Sequence, residues 1–194
     1  MNTNKILSLM LVLVTLLTAS CQVDRFNSDA LNSSRSQLKQ YSLEITDLPH
    51  GWKFSERSWG TDFGGESYAV TYKLNDLIHI SHDTDIYSDE DQSKIGYQKW
   101  EADWFNSITK PWPGATFSPS DQSDQSRFEC LQLSPMDPLL SCAYLQRHKK
   151  IISFVLVTID NSDFTFTELN SILDILDKRL NEVVLDAKPE GNTP

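Results

Sequence analysis

Two cysteines set the tightest limit on how this chain can fold. Cys130 lies in Arg127-Phe128-Glu129-Cys130-Leu131-Gln132-Leu133 and Cys142 in Ser141-Cys142-Ala143-Tyr144-Leu145-Gln146. Between them sits Ser134-Pro135-Met136-Asp137-Pro138, a cluster of turn formers. The pattern reads as a hairpin with one cysteine on each strand. A bridge across it would close a loop of about a dozen residues and contribute on the order of 3 kcal/mol in the chain-entropy model. The alternative is two buried reduced thiols, and the redox compartment decides between them. Redox catalysis would call for a Cys-x-x-Cys spacing, which the sequence lacks.

The first residues speak to that compartment. A single basic Lys5, an apolar run from Ile6 to Leu17 and the small residues Thr18-Ala19-Ser20 are the three parts of a secretory signal peptide. The run is too short to span a bilayer, which takes roughly 20 apolar residues, and Ser8 and Thr15 interrupt it. Ala19 and Ser20 directly before Cys21, with Leu16 and Leu17 upstream, resemble the lipobox of bacterial lipoproteins. The resemblance implies a diacylglyceryl thioether on Cys21, cleavage just before it and acylation of the new amino terminus. Thr18 stands where the family usually has leucine, with Leu17 displaced by one. The other reading is ordinary cleavage after Thr18-Ala19-Ser20, which leaves Cys21 a free thiol. Lipidation of Cys21 would leave Cys130 and Cys142 as an even pair among the three cysteines. Gln22 is not the aspartate of an inner-membrane retention signal, so a host with two membranes would send the protein outward.

Composition fits a folded exported domain. Hydrophobic residues at 39% and charged residues at 23% are globular values. The formal net charge of −10 argues against nucleic acid and against adsorption on anionic lipid, both of which need basic patches. Attachment to a membrane would therefore come from the lipid on Cys21. The expected organisation is a signal peptide over 1–20, a polar tether over 21–40, one globular domain over 41–185 and a polar tail over 186–194.

Within the domain, Tyr41, Leu43 and Ile45 alternate with polar residues and predict a strand, followed by a turn at Leu48-Pro49-His50-Gly51. Trp52 to Ser55 restarts the alternation, and Gly60 and Gly64-Gly65 mark a second turn. Tyr68, Val70, Tyr72 and Leu74 then form a clear period-two strand, and Leu77 to His82 a short one. From Asp89 the period changes. Tyr97, Trp100, Trp104 and Ile108 recur at helical spacing and predict an aromatic, core-facing helix that ends at Lys110-Pro111. The cysteine strands follow, then Ile151 to Ile159, an apolar run suited to a central strand. A last helix is signalled by Thr165 and Glu168 at capping-box spacing and by Phe164 and Leu169 at staple spacing. Leu169, Ile172, Leu173, Leu176, Leu180, Val183 and Val184 form its apolar stripe. The predicted class is α+β, a mainly antiparallel sheet of about six to eight strands packed with two amphipathic helices as an α/β sandwich.

The segment Tyr41 to Trp52, ending in Pro49-His50-Gly51-Trp52, resembles the opening of PsbP-like proteins, as does the later order of helix, hairpin, strand and helix. That resemblance implies a lumenal or periplasmic accessory protein with no enzymatic activity. The cysteine hairpin departs from it.

Residues able to carry chemistry are sparse. His79, His82, Asp83 and Asp85 form the densest polar group, with a ligand set suited to a transition metal. On a strand, however, His79 and His82 point to opposite faces. The acids from Asp83 to Asp91 suit calcium in type, but the EF-hand pattern fails and acids ahead of a helix also favour its dipole. Nucleophile elbows and phosphate-cradling glycine loops are absent. Trp59 and Trp112 fall in predicted loops, where an aromatic has less packing reason to be, and are the candidates for a partner surface; folding back over the sheet is the competing explanation.

The sequence thus favours a lipid-anchored extracytoplasmic binding or accessory module, non-enzymatic and without cofactor or bound metal. Its expected partners are the membrane, through Cys21, and an unidentified protein. The alternative is a small exported hydrolase or metal-binding protein using His79, His82 and the Asp83 to Asp91 acidic loop.

Overall fold

The computed structural model describes residues 35–106, 112, 117, 123–132, 139–160 and 162–186, the last four as backbone alone. The described residues from 38 onward belong to one compact unit. The signal segment, Cys21, most of the expected tether, the loop at 134–138, Ile108, Lys110-Pro111, the tail beyond 186 and the side chains of Val183 and Val184 lie outside the described residues.

The core of the architecture is a six-stranded, fully antiparallel sheet. Its strands are β1 (Lys53–Asp62), β2 (Gly65–Lys73), β3 (His79–Ile86), β4 (Gln125–Gln132), β5 (Leu140–His148) and β6 (Ile151–Ile159). In space they run β1-β2-β3-β6-β5-β4. Two three-stranded meanders therefore meet at their third strands, β3 against β6. The crossover from β3 to the far edge at β4 carries helix α1 (Glu90–Phe105), and helix α2 (Phe166–Asp186) follows β6.

The two helices cover opposite faces. One face packs Val70, Tyr72, Ile80, Val155, Val157, Cys142 and Tyr144 against Leu169, Ile172, Leu173 and Leu176 of α2. The other packs Leu145, Ile152 and Phe154 under Tyr97 and Trp100 of α1. β6 serves both faces, which is why its sequence is apolar without alternation. Cys130 and Cys142 are cross-strand partners on β4 and β5, both buried and joined by a disulfide. At the start of α2 both halves of the capping box form. The Glu168 backbone N–H donates to Thr165 Oγ1 at 3.3 Å, and the Thr165 N–H donates to Glu168 Oε2 at 2.8 Å.

Three local expectations change. The segment from Tyr41 is not a strand. Residues 35–41 are helical and Ile45–Asp47 is a single 3-10 turn. The alternation of Tyr41 and Leu43 is real as burial, but the backbone partners are not those of a ladder. The Leu43 N–H donates to His82 Nδ1, the Tyr72 hydroxyl donates to the Leu43 carbonyl, and Asp47 caps the Glu44 N–H while pairing with Arg179 of α2. The extended lead-in implied by the PsbP-like resemblance is thereby replaced by a compact plug over the α2 face of the sheet. Gly60 is not a turn, because β1 runs through it. Trp104 is not core: it leans on Phe154 with ring centroids 5.1 Å apart but stays 39% exposed. The buried residues of α1 are instead Ser93, Gly96, Tyr97, Trp100 and Phe105.

Candidate functional site

The acidic group that the sequence singles out divides between two structural roles. Asp89 is the N-cap of α1, its Oδ1 accepting the Gln92 N–H at 2.8 Å, and Asp91 pairs with Lys94 one turn on. Asp83 and Asp85 are not loop residues; they sit inside β3. Strand alternation turns both toward the α1 face, while His82 and Thr84 point to the other.

His82 is fully enclosed. Its Nδ1 accepts the Leu43 N–H at 2.9 Å, so Nε2 carries the proton and donates to Ser153 Oγ at 2.9 Å. Burial, reinforced by the Arg179 charge, pushes the imidazole down to about 3. It is a neutral pin for the 41–47 segment. His79 lies on the opposite face, three positions away. Among the described residues no three His, Cys, Asp or Glu side chains come close enough together to hold a metal ion. His79, His82 and the acids from Asp83 to Asp91 thus do not converge on one three-ligand cluster with one another.

What the structure brings together is a concavity of about 280 Å³ on the α1 face of the first meander, lined by Glu56, Arg57, Ser58, Ala69, Thr71, Ser81 and Asp83. Its shape follows from the cross-strand register. Three rows cross β1, β2 and β3: Glu56–Thr71–Ser81, Ser58–Ala69–Asp83 and Gly60–Ser67–Asp85. Apart from the acids, every position in these rows is glycine, alanine, serine or threonine. One strand further on, the partners of Ser81, Asp83 and Asp85 are Leu156, Phe154 and Ile152. The α1 face thus changes from small and polar to large and apolar at the β3/β6 seam. Helix α1 follows the apolar side, with Trp100 stacked on Phe154 at 4.7 Å. The small rows form the floor of the hollow beside the helix.

The carboxyls on this face are strained electrostatically. Burial, followed by repulsion from Asp62 at the end of β1, pushes Asp83 up to about 7. Asp85 is also pushed up to about 7, chiefly by burial, with hydrogen bonds from Trp100 and Ser67 acting in the opposite sense. Its Oδ2 accepts the Trp100 indole N–H at 2.7 Å and lies 3.4 Å from the Tyr87 hydroxyl. Its Oδ1 is buried with no donor. Among the described residues none of Asp62, Asp83 and Asp85 forms an ion pair. A partly buried acid with a displaced pKa in a hollow is a functional-site candidate.

Trp59 and Trp112 are not brought together. Trp59 is in β1 rather than in a loop, half-buried against Tyr68 with centroids 4.3 Å apart, and Lys39 Nζ stands 5.8 Å over its ring. Trp112 lies beside the opposite edge. Its backbone N–H donates to the Cys130 carbonyl at 2.7 Å, and its ring stacks parallel on Phe166 at 5.3 Å. Both rings make packing contacts, and both stay partly exposed.

The sequence does not point to the residues of the hollow, apart from Asp83 and its neighbour Asp85. Ser58, Ala69, Thr71 and Ser81 are ordinary strand residues in isolation. Their meaning comes from register, which places small side chains next to one another across three strands.

No protein-family model and no curated protein matches the sequence. Among solved structures the chain is similar to the extracellular domain of PknH from Mycobacterium tuberculosis. The TM-score is 0.53 at 10% identity, over 74% of this chain and 96% of that one. At that identity the likeness is one of fold.

Proposed function

We propose that this protein is an exported binding module, tethered to a membrane by lipid on Cys21, whose ligand seat is the concavity on β1, β2 and β3. The observation that carries the binding reading is the hollow itself. It is a polar half of a sheet face that α1 does not cover among the described residues, and it holds the displaced Asp83 carboxyl. Two features support the address. The Lys5 to Cys21 segment has the parts of a lipoprotein signal, and the buried Cys130–Cys142 bridge suits an oxidising compartment. The solved domain that shares the fold is itself extracellular. Among the described residues no helix is long and apolar enough to cross a membrane.

A non-enzymatic role fits the disposition of the histidines. His82, which the hydrolase alternative needs, is enclosed with both ring nitrogens engaged. A protein partner gripping Trp59 and Trp112 would have to reach both edges of the sheet, so the hollow is the better binding candidate. Mass spectrometry of the mature amino terminus tests the tether: the reading expects a diacylglyceryl group on Cys21, and an unmodified thiol there would make the protein freely secreted. Filling the hollow tests the seat. Ala69→Phe should abolish ligand binding with the thermal midpoint unchanged.

A further inference from the structure

We infer that the concavity takes a small, neutral, polyhydroxylated ligand, a single sugar ring or a polyol, held by hydrogen bonds to Glu56, Arg57, Ser58 and Asp83. The inference rests on the reading above that the concavity is the ligand seat, and it names what that seat accepts. Three observations converge on this class.

First, the lining carries more hydrogen-bonding capacity than the protein itself uses. Among the described residues the side chains of Glu56, Arg57, Ser58 and Asp83 make no hydrogen bond and no ion pair, and the Thr71 and Ser81 hydroxyls meet only one another, at 2.9 Å. Asp83 is the telling case. It sits in the middle of β3 and is only partly exposed, where a carboxyl without a partner is costly. Ala69 alone in the lining has no polar side-chain atom. An apolar or aromatic ligand would strip water from these groups and return nothing.

Second, the charges of the lining nearly cancel. Arg57 and Glu56 are neighbours of opposite sign, and burial leaves the Asp83 carboxyl close to half protonated at neutral pH. A charged ligand would lose its own hydration without meeting a matching excess of opposite charge. A neutral ligand avoids that loss.

Third, donors and acceptors are mixed on a small floor. Glu56 accepts, Arg57 donates, and the hydroxyls of Ser58, Thr71 and Ser81 do both. The Thr71–Ser81 bond can run in either direction, so the pair can offer a donor or an acceptor. Adjacent hydroxyls on one ligand, each both donor and acceptor, satisfy such a set. The volume of about 280 Å³ falls just below the roughly 300 Å³ at which small-molecule pockets begin, which suits one ring and not a chain.

The test is an amide NMR titration of the full chain in a detergent without a sugar headgroup. The probes are glucose, galactose, mannose, ribose and inositol, run beside citrate, 1,5-diaminopentane and phenol. At least one of the five neutral polyols is expected to shift the amides of Ser58, Ala69 and Ser81 saturably, with an affinity unchanged between about 50 and 500 mM salt. Asp83→Leu should weaken that binding about tenfold, whereas Asp83→Asn, which keeps a donor and an acceptor, should hold it within about threefold. Thermal midpoints check that both variants are folded, and Ser58→Val on the exposed edge strand gives a second, smaller loss. Failure of all five polyols to shift these amides, or undiminished binding by Asp83→Leu, overturns the inference. Citrate, the diamine or phenol shifting the same amides in place of the polyols sinks the ligand class and leaves the seat standing. Polyol binding that moves only amides elsewhere sinks the seat as well.

Discussion

The indole N–H of Trp100 donates to the buried Asp85 carboxylate at 2.7 Å and so ties helix α1 to the strand that borders the hollow. Removing that donor by Trp100→Phe keeps most of the aromatic packing on Phe154 but leaves the carboxylate short of a partner. The expected loss is roughly 2 kcal/mol. It should be larger at pH 8 than at pH 5, because the bond favours the ionised acid. Urea unfolding at the two pH values checks both magnitude and order.

Gly96 and Gly65 enclose the ring of Tyr87. A Cβ on Gly65 would lie 2.8 Å from Tyr87 Cζ, and one on Gly96 would overlap the ring and its hydroxyl. Helix propensity alone would make Gly96→Ala stabilising by about 1 kcal/mol. The clash predicts the opposite sign, a loss of about 2 kcal/mol, since Tyr87 is buried with nowhere to move. Denaturant midpoints settle the sign.

Stability should depend on pH in two opposing ways. Asp83 and Asp85 ionise near 7 in the folded chain against 3.8 ordinarily, so the folded state holds their protons longer. Their contribution is full below about pH 4 and is lost as pH rises toward 7. His82 is pushed down to about 3 from 6.5, so its contribution is full above about pH 6.5 and is lost as pH falls toward 3. Asp83→Asn should therefore gain on wild type as pH rises from 4 to 8. Stability curves that stay parallel across that range would show that Asp83 ionises normally.

The Cys130–Cys142 bridge spans a sequence separation of 12 across the β4–β5 pair. Replacing both cysteines by alanine should lower stability by about 3 kcal/mol in the chain-entropy model. For a domain of this size that is a fall in thermal midpoint of roughly 10 °C, measurable by circular dichroism.

The sequence was legible where a period repeats long enough to fix a face. Tyr68, Val70 and Tyr72, the Ile151 to Ile159 run, the cysteine hairpin strands and the capped Thr165 helix all appear where their patterns place them. It misled where side chains rather than ladders hold the backbone. Residues 41–47 alternate like a strand, yet His82, Asp47 and Arg179 take their polar groups and keep them off the sheet. Helix α1 misled differently. It covers only half a face, so Trp104 could sit at the helical spacing of Trp100 and remain half in solvent. The hollow was beyond reach for the same reason. Smallness at Ser58, Ala69 and Ser81 acquires meaning only when three strands are laid side by side.

The most direct measurement is native mass spectrometry of the full chain extracted from its own membrane, comparing wild type with Ala69→Phe. A small-molecule adduct carried by the wild type and missing from the folded variant is the predicted result. An adduct retained by Ala69→Phe would place the ligand elsewhere and contradict the assignment of the hollow.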